Sequence, residues 1–171
     1  MNARHTMSTA ECYTPSHVAA LVREALGGYI ELDPASTPKA NKLVKADTIF
    51  TKEQDGLQQD WRPFKTVYLN PPGGRNGLGP LVPQFWKKFC AEVSHGIWMG
   101  YSLEQLQSLQ KPGLSHPFFV GDAYCIPKTR IAFVREDGAK SPSHANYLVY
   151  RGRHSYRFEK LFAELGVTWH M

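Results

Sequence analysis

Cysteine is scarce in this 171-residue chain: Cys12, Cys90 and Cys125 are an odd number, in no CxxC or Cys/His ligand spacing. Neither a disulfide framework nor a zinc site is indicated. The seven histidines are scattered, with no HxH, HExxH or i, i+4 pair, so no metal is expected. Long apolar runs are missing as well. The densest stretches, 96–101 and 117–120, fall far short of the roughly 20 residues that cross a bilayer. The opening MNARHTMSTAECYTP lacks the apolar block of a signal peptide. Together these absences lead to the expectation of a soluble, cytoplasmic protein with reduced thiols and no membrane partner.

What is present fits one globular domain. At roughly 150 residues per domain the length allows about one, expected over residues 11–171 behind a flexible 1–10. Hydrophobic residues make up 42% of the chain, which with glycine reaches the ordinary globular share and argues against disorder. The formal charge is +5, and its distribution is uneven. Lys128, Arg130, Arg135, Lys140, Arg151, Arg153, Arg157 and Lys160 face only Glu136, Asp137 and Glu159 within 128–160, whereas residues 1–127 are nearly balanced. Such a block suits a polyanionic partner, because each phosphate neutralised releases counterions; a merely solvated surface is the other reading.

The hydrophobic pattern alternates strand and helix. Thr14 as N-cap, Pro15 at the first helical position and Gly27-Gly28 as a stop predict a helix over 15–26. A strand follows at 29–33, then a helix over 37–46, a short strand at 47–51 and an Asp55-Gly56 turn. Residues 66–69 form the clearest strand and stop at Asn70-Pro71-Pro72-Gly73. The glycine-rich 73–80 reads as a mobile loop. Helix 82–94, strand 96–101 and helix 103–110 continue the alternation. Strand-like segments at 118–120, 123–126, 130–135 and 147–150 and a helix at 156–165, stopped by Gly166, complete it. The expectation is an α/β fold, with a mostly parallel sheet, helices on both faces and antiparallel C-terminal strands.

Ligands of open α/β sheets bind beyond the carboxyl ends of the strands. Two strands here end in polar groups followed by proline, at Asp33-Pro34-Ala35-Ser36 and at Asn70-Pro71-Pro72. Asn70 Oδ1 and the Pro71 carbonyl can both point outward as acceptors, a pair suited to a planar amino group. Holding such an NH2 would expose the nitrogen lone pair to an electrophile. A turn that only terminates a strand is the alternative.

In order along the chain stand Tyr13-Thr14-Pro15, Leu32-Asp33-Pro34-Ala35-Ser36, Asp55-Gly56-Leu57 with Trp61, Leu69-Asn70-Pro71-Pro72, Ile126-Pro127, Arg130-Ile131-Ala132-Phe133 and Asn146-Tyr147-Leu148-Val149-Tyr150. This ordered set, spanning about 11–165, resembles the phage-type DNA N6-adenine methyltransferases of the Dam-like group. The resemblance implies a single-domain Rossmann-like methyltransferase fold and the cofactor S-adenosylmethionine, in a bacterial or phage-infected cell. It implies that Tyr13, Thr14 and Pro15 meet the cofactor carboxylate and that Asp33, with Pro34, Ala35 and Ser36, lies near its amino acid moiety. It further implies that Asp55 accepts from the cofactor adenine, and that Asn70, Pro71, Pro72 and Gly73 form the catalytic motif, with Asn70 also beside the cofactor. Transfer would be direct, without a covalent enzyme intermediate.

The chain departs from the family at two places. The loop after the first strand usually carries glycines, where this chain has Pro34-Ala35-Ser36-Thr37, and the fourth motif position is usually an aromatic that stacks on a flipped base, where this chain has Gly73. Trp61, Phe85, Trp86 and Tyr101 are candidates for the missing face, and each also reads as core. Arg75 is the first candidate for a DNA contact, followed by Lys128, Arg130, Arg151 and Arg153; Arg130 reads equally as a structural ion-pair partner. RNA adenine or protein glutamine as substrate, or a non-catalytic binding module with a degenerate motif, stay open, as does the oligomeric state, a monomer included. A cytosine C5 enzyme is disfavoured because no cysteine follows a proline. With no room for a recognition domain, recognition falls to 73–80 and the basic strands after 127, so a short target is expected.

Overall fold

Apolar residues at successive positions of the central strands point to opposite faces of one sheet, and this alternation builds two cores. The computed structural model describes residues 12–73, 79–141 and 144–171. Its elements in chain order are β1 (Cys12–Tyr13), α1 (Ser16–Ala25), β2 (Ile30–Asp33), α2 (Pro38–Val44), β3 (Ala46–Ile49), β4 (Val67–Leu69), α3 (Val82–Glu92), β5 (Gly96–Gly100), α4 (Gln105–Ser108), β6 (Ala123–Pro127), β7 (Phe133–Arg135), β8 (Lys140–Ser141), β9 (Tyr147–Arg151), α5 (Ser155–Phe162) and β10 (Gly166–His170). The expected flexible 1–10 lies outside the described residues.

Seven strands form the main sheet in the order β10-β6-β9-β5-β4-β2-β3, and β1-β7-β8 form a small second sheet. The pairs β3/β2, β2/β4 and β4/β5 are parallel, whereas β5/β9, β9/β6 and β6/β10 are antiparallel. The α/β class and the antiparallel C-terminal strands are as expected. The predominance of parallel pairing is not, since the sheet is half parallel and half antiparallel.

Ile30, Tyr68, Ile97, Met99, Leu148 and Tyr150 pack on one face with Val18 and Val22 of α1 and Phe158 and Phe162 of α5. Leu32, Val67, Leu69, Trp98 and Val149 pack on the other with Val82, Phe85, Trp86 and Phe89 of α3. Helices on both faces are therefore borne out. Burying each large apolar side chain contributes roughly 1.5–3 kcal/mol, and the second face is dense in aromatics, with Trp86 and Trp98 edge to face at 5.0 Å.

Several local expectations are corrected. Pro15, not Thr14, is the N-cap of α1: its backbone is extended and its carbonyl accepts from Ala19 N at 3.0 Å. The expected helix at 103–110 contracts to Gln105–Ser108. Residues 118–120 are no strand; a 3-10 turn spans Pro117–Phe119, with His116 accepting from Phe118 N. The strand expected at 130–135 begins only at Phe133, because Ile131 N donates instead to Asn146 Oδ1 at 3.0 Å. Gly166 does more than stop a helix. It opens the edge strand β10, where a Cβ would stand 2.0 Å from the Ile126 carbonyl oxygen.

Candidate active site

The strand order makes a switch point. From β2 the chain crosses to β3 on one side, then returns past β2 to β4 on the other and continues outward to β5. Between β2 and β4 the order reverses, and a crevice beyond the carboxyl ends of those two strands is where such sheets bind ligands. Those ends carry Asp33 and Asn70, the two polar strand ends singled out from the sequence.

Asn70 is oriented by a neighbouring strand. Its Nδ2 donates to the Cys12 carbonyl at 3.2 Å, and since a carbonyl only accepts, Oδ1 is turned to the other side. Among the described residues no group donates to Asn70 Oδ1 or to the Pro71 carbonyl. Pro71 is buried, Pro72 exposed and Gly73 half-buried. Cys12 is in turn held by β1, which pairs antiparallel with β7, Tyr13 opposite Val134. Next along the chain, the buried Thr14 shares a hydrogen bond of 2.6 Å with Tyr68 OH. No side chain caps the first turn of α1, so its N–H groups beside Thr14 are available to an anion.

Asp33 is 3% exposed. Burial pushes its carboxyl up to about 7, with the Ala35 N–H and the nearby Ser36 hydroxyl partly opposing the shift. Ala35 N donates to Asp33 Oδ1 at 3.3 Å. The buried Ser36 Oγ lies near the Asp33 carboxyl but makes no well-aligned hydrogen bond to any described residue. Pro34 does not end the pairing here: Phe50 N donates to the Asp33 carbonyl and Ser36 N to the Phe50 carbonyl, so residues 33–36 extend alongside β3. Gly56 presses on the same segment, where a Cβ would come 1.9 Å from the Pro34 carbonyl oxygen. Trp61 Nε1 fixes that turn by donating to the Gly56 carbonyl at 2.8 Å. Asp55, left-handed at φ 49°, is exposed and spends one carboxylate oxygen on Leu57 N at 3.2 Å, leaving the second for a ligand.

Tyr13, Thr14, Pro15, Asp33 to Ser36, Asp55 and Asn70 to Gly73 thus converge on one rim. The basic candidates divide. Lys128 and Arg130 follow β6, whose carboxyl end lies at this rim, and both are exposed. Arg151 and Arg153 lie at the opposite end of the sheet, since Arg151 pairs with Gly96 at the start of β5. Arg151 Nη1 is committed there, donating to the Phe89 and Cys90 carbonyls at 3.2 and 2.8 Å, at the C-terminus of α3. Arg75 lies outside the described residues. Trp61, Phe85 and Trp86 are core, at most 4% exposed. Tyr101, half-buried at the carboxyl end of β5 against His144 and Phe133, is the aromatic left at the rim. Tyr68 and the Cys12 carbonyl escaped sequence reasoning; a strand tyrosine looks like any β-former, and a backbone acceptor leaves no sequence signal.

An open depression of about 870 Å³ lies elsewhere, lined by Gln110, Leu114, Ser115, His116, Phe118 and Phe119. Its walls bring no cluster of ionisable groups together, so the polar rim is the stronger candidate. Compared with known proteins, the chain matches no family model and no curated protein. Among the described residues no three His, Cys, Asp or Glu group closely enough to hold a metal ion, and no helix is long and apolar enough to cross a membrane.

Proposed function

We propose that the chain transfers a methyl group from S-adenosylmethionine to the N6 amino group of adenine in DNA, using a single Rossmann-like methyltransferase domain. The observation that carries the reading is the pairing across the switch point of an amide oriented for acceptance, Asn70, with a desolvated acid, Asp33. The donor set fits the cofactor. A buried carboxyl calls for a cationic partner, the orphaned Ser36 hydroxyl for one more hydrogen bond, the first turn of α1 for a carboxylate, and the second oxygen of Asp55 for an amino donor.

The bound cofactor supplies an electrophilic methyl group on a sulfonium, which becomes a neutral thioether on transfer. Asn70 Oδ1 and the Pro71 carbonyl accept the two N6 hydrogens, hold the nitrogen in line and stabilise the positive charge that develops on it. The extra proton leaves N6 for solvent, while these two oxygens only accept hydrogen bonds. The target base must leave the duplex to be reached. With Gly73 in the fourth motif position, Tyr101 is the side chain at the rim that can face the base, and Arg75 is the residue we assign to the vacated strand.

Purified protein incubated with labelled S-adenosylmethionine and unmethylated DNA, then digested to nucleosides, tests the reading. Labelled N6-methyladenine is the expected product. Cofactor binding without transfer would leave a non-catalytic module, with Gly73 marking the lost activity, and label in RNA or in protein glutamine would move the same chemistry to another substrate.

A further inference from the structure

We infer that duplex DNA docks on the small sheet β1-β7-β8 and the adjoining end of β6, with Lys39, Lys128, Arg130, Arg135 and Lys140 reaching its phosphates, an inference that rests on the function proposed above. The sequence offers one basic block after residue 127, but the topology divides it. β6 runs toward the Asn70 rim and β9 away from it, so Lys128, Arg130, Arg135 and Lys140 precede the β9 crossing and stay on the rim, whereas Arg151 and Arg153 follow it to the far end.

The hairpin of β7 and β8 is anchored over the rim at three points. β7 pairs with β1, Lys39 Nζ of α2 donates to the Glu136 carbonyl at the hairpin turn, and Asn146 ties Ile131 N to the Tyr101 carbonyl at 3.0 and 2.7 Å. All five cations are exposed. Among the described residues Arg135 is the one of the five with a carboxylate near its charge, Asp137 at 4.0 Å, and Glu136 and Asp137 are the two acids of the hairpin. Exposed cations on an anchored hairpin and on the segments beside it match a phosphate backbone, which recruits charge without needing a pocket. Position adds the second argument. The Cys12 carbonyl that orients Asn70 belongs to β1, the strand that β7 extends, so a duplex on this sheet lies next to the proposed catalytic amide.

The test compares Arg130→Ala/Lys140→Ala with Arg157→Ala/Lys160→Ala, a pair of equal charge on α5 whose side chains are also exposed. Binding of a short unmethylated duplex is followed by fluorescence anisotropy across a salt series. The rim variant should bind roughly tenfold or more weakly at low salt, and its log–log salt slope should fall by about 1 to 2, near 0.9 for each phosphate no longer neutralised. The α5 variant should bind like the parent. Equal weakening of the two, or an unchanged rim variant, overturns the docking surface. Loss of DNA binding in the rim variant, with no methyl transfer by the parent, sustains the surface and rejects the catalytic reading. Undiminished transfer by the rim variant at limiting DNA rejects the surface alone.

Discussion

The two ends of the central sheet carry similar residue types and use them in opposite ways. At the amino ends of the parallel strands, Arg151 gives its guanidinium to two helix carbonyls, Gly152 N donates to Asp122 Oδ2 at 2.7 Å, and Tyr150 OH meets His95 Nε2 at 3.3 Å while accepting from His154 N. Burial and then the neighbouring His154 hold His95 below its ordinary range. At the carboxyl ends, among the described residues, Asp33 is buried without a cation, Ser36 Oγ makes no well-aligned hydrogen bond, and Asn70 Oδ1 has no donor. Polar side chains alone do not distinguish a site from scaffolding. Hydrogen-bonding capacity left unspent does, because a fold that gains nothing from a buried polar group has no structural use for it.

The strongest way to break this contrast is Asn70→Ala. Removing one pre-aimed acceptor from a transferring centre should cost roughly 100-fold to 1000-fold in single-turnover rate, by analogy with the loss of one oxyanion donor. Cofactor affinity should stay within a few-fold, since the interaction belongs to the transition state. Unchanged turnover would remove Asn70 from the chemistry.

Asp33→Asn probes the same end through stability. In the unfolded chain this carboxyl ionises near pH 4, but in the ligand-free fold only near 7. The folded state therefore holds more protons between those values, and the stability linked to Asp33 is fully present below about pH 4 and lost as pH rises to about 7. A neutral isostere escapes that loss. The variant should melt higher than the parent above pH 7, by an amount on the order of 4 kcal/mol at most, and the gap should close toward pH 4. It should also bind S-adenosylmethionine far more weakly. Parallel melting profiles across pH would show that Asp33 carries no such cost.

Legibility in the sequence follows from range. Asp33 and Asn70 could be found because each combines two local signals, an apolar strand and a proline directly after a polar residue. The parallel half of the sheet was legible for the same reason, through its β-branched and aromatic strands. What the sequence hid depends on partners distant in the chain. Tyr68 became notable only when Thr14 reached it across 54 positions. Arg130 and Arg151 are indistinguishable by composition, and only the direction of β6 and β9 sends one to the rim and the other to the cap of α3. Strands β1 and β8, two residues each, are too short for any periodicity, and β10 was concealed because Gly166 also ends the helical pattern.

Arg151→Ala sharpens the comparison from the far end. The guanidinium holds two carbonyls at the end of α3, and hydrogen bonds from a charged donor contribute about 1.5–3 kcal/mol. Chemical denaturation should reveal a loss of that size, with the DNA salt slope unchanged. A lower slope at full stability would instead make Arg151 a phosphate ligand and erase the difference between the two ends.

The smallest effect expected is at the Thr14–Tyr68 link, and a double-mutant cycle is needed to see it. Tyr68→Phe strands the hydroxyl of Thr14, a residue 2% exposed, and Thr14→Val strands the buried Tyr68 hydroxyl. Each should destabilise by about 1–3 kcal/mol, the cost of leaving a buried polar group unpaired. Replacing both partners removes the orphan along with the bond, so the double variant should be more stable than the two single losses added together, with a coupling of about 0.5–3 kcal/mol. Cofactor affinity should weaken a few-fold in all three, because Thr14 leads into the uncapped first turn of α1. Strict additivity would mean that the 2.6 Å hydrogen bond does not hold the N-terminal segment over the rim, and that β1 alone positions Asn70.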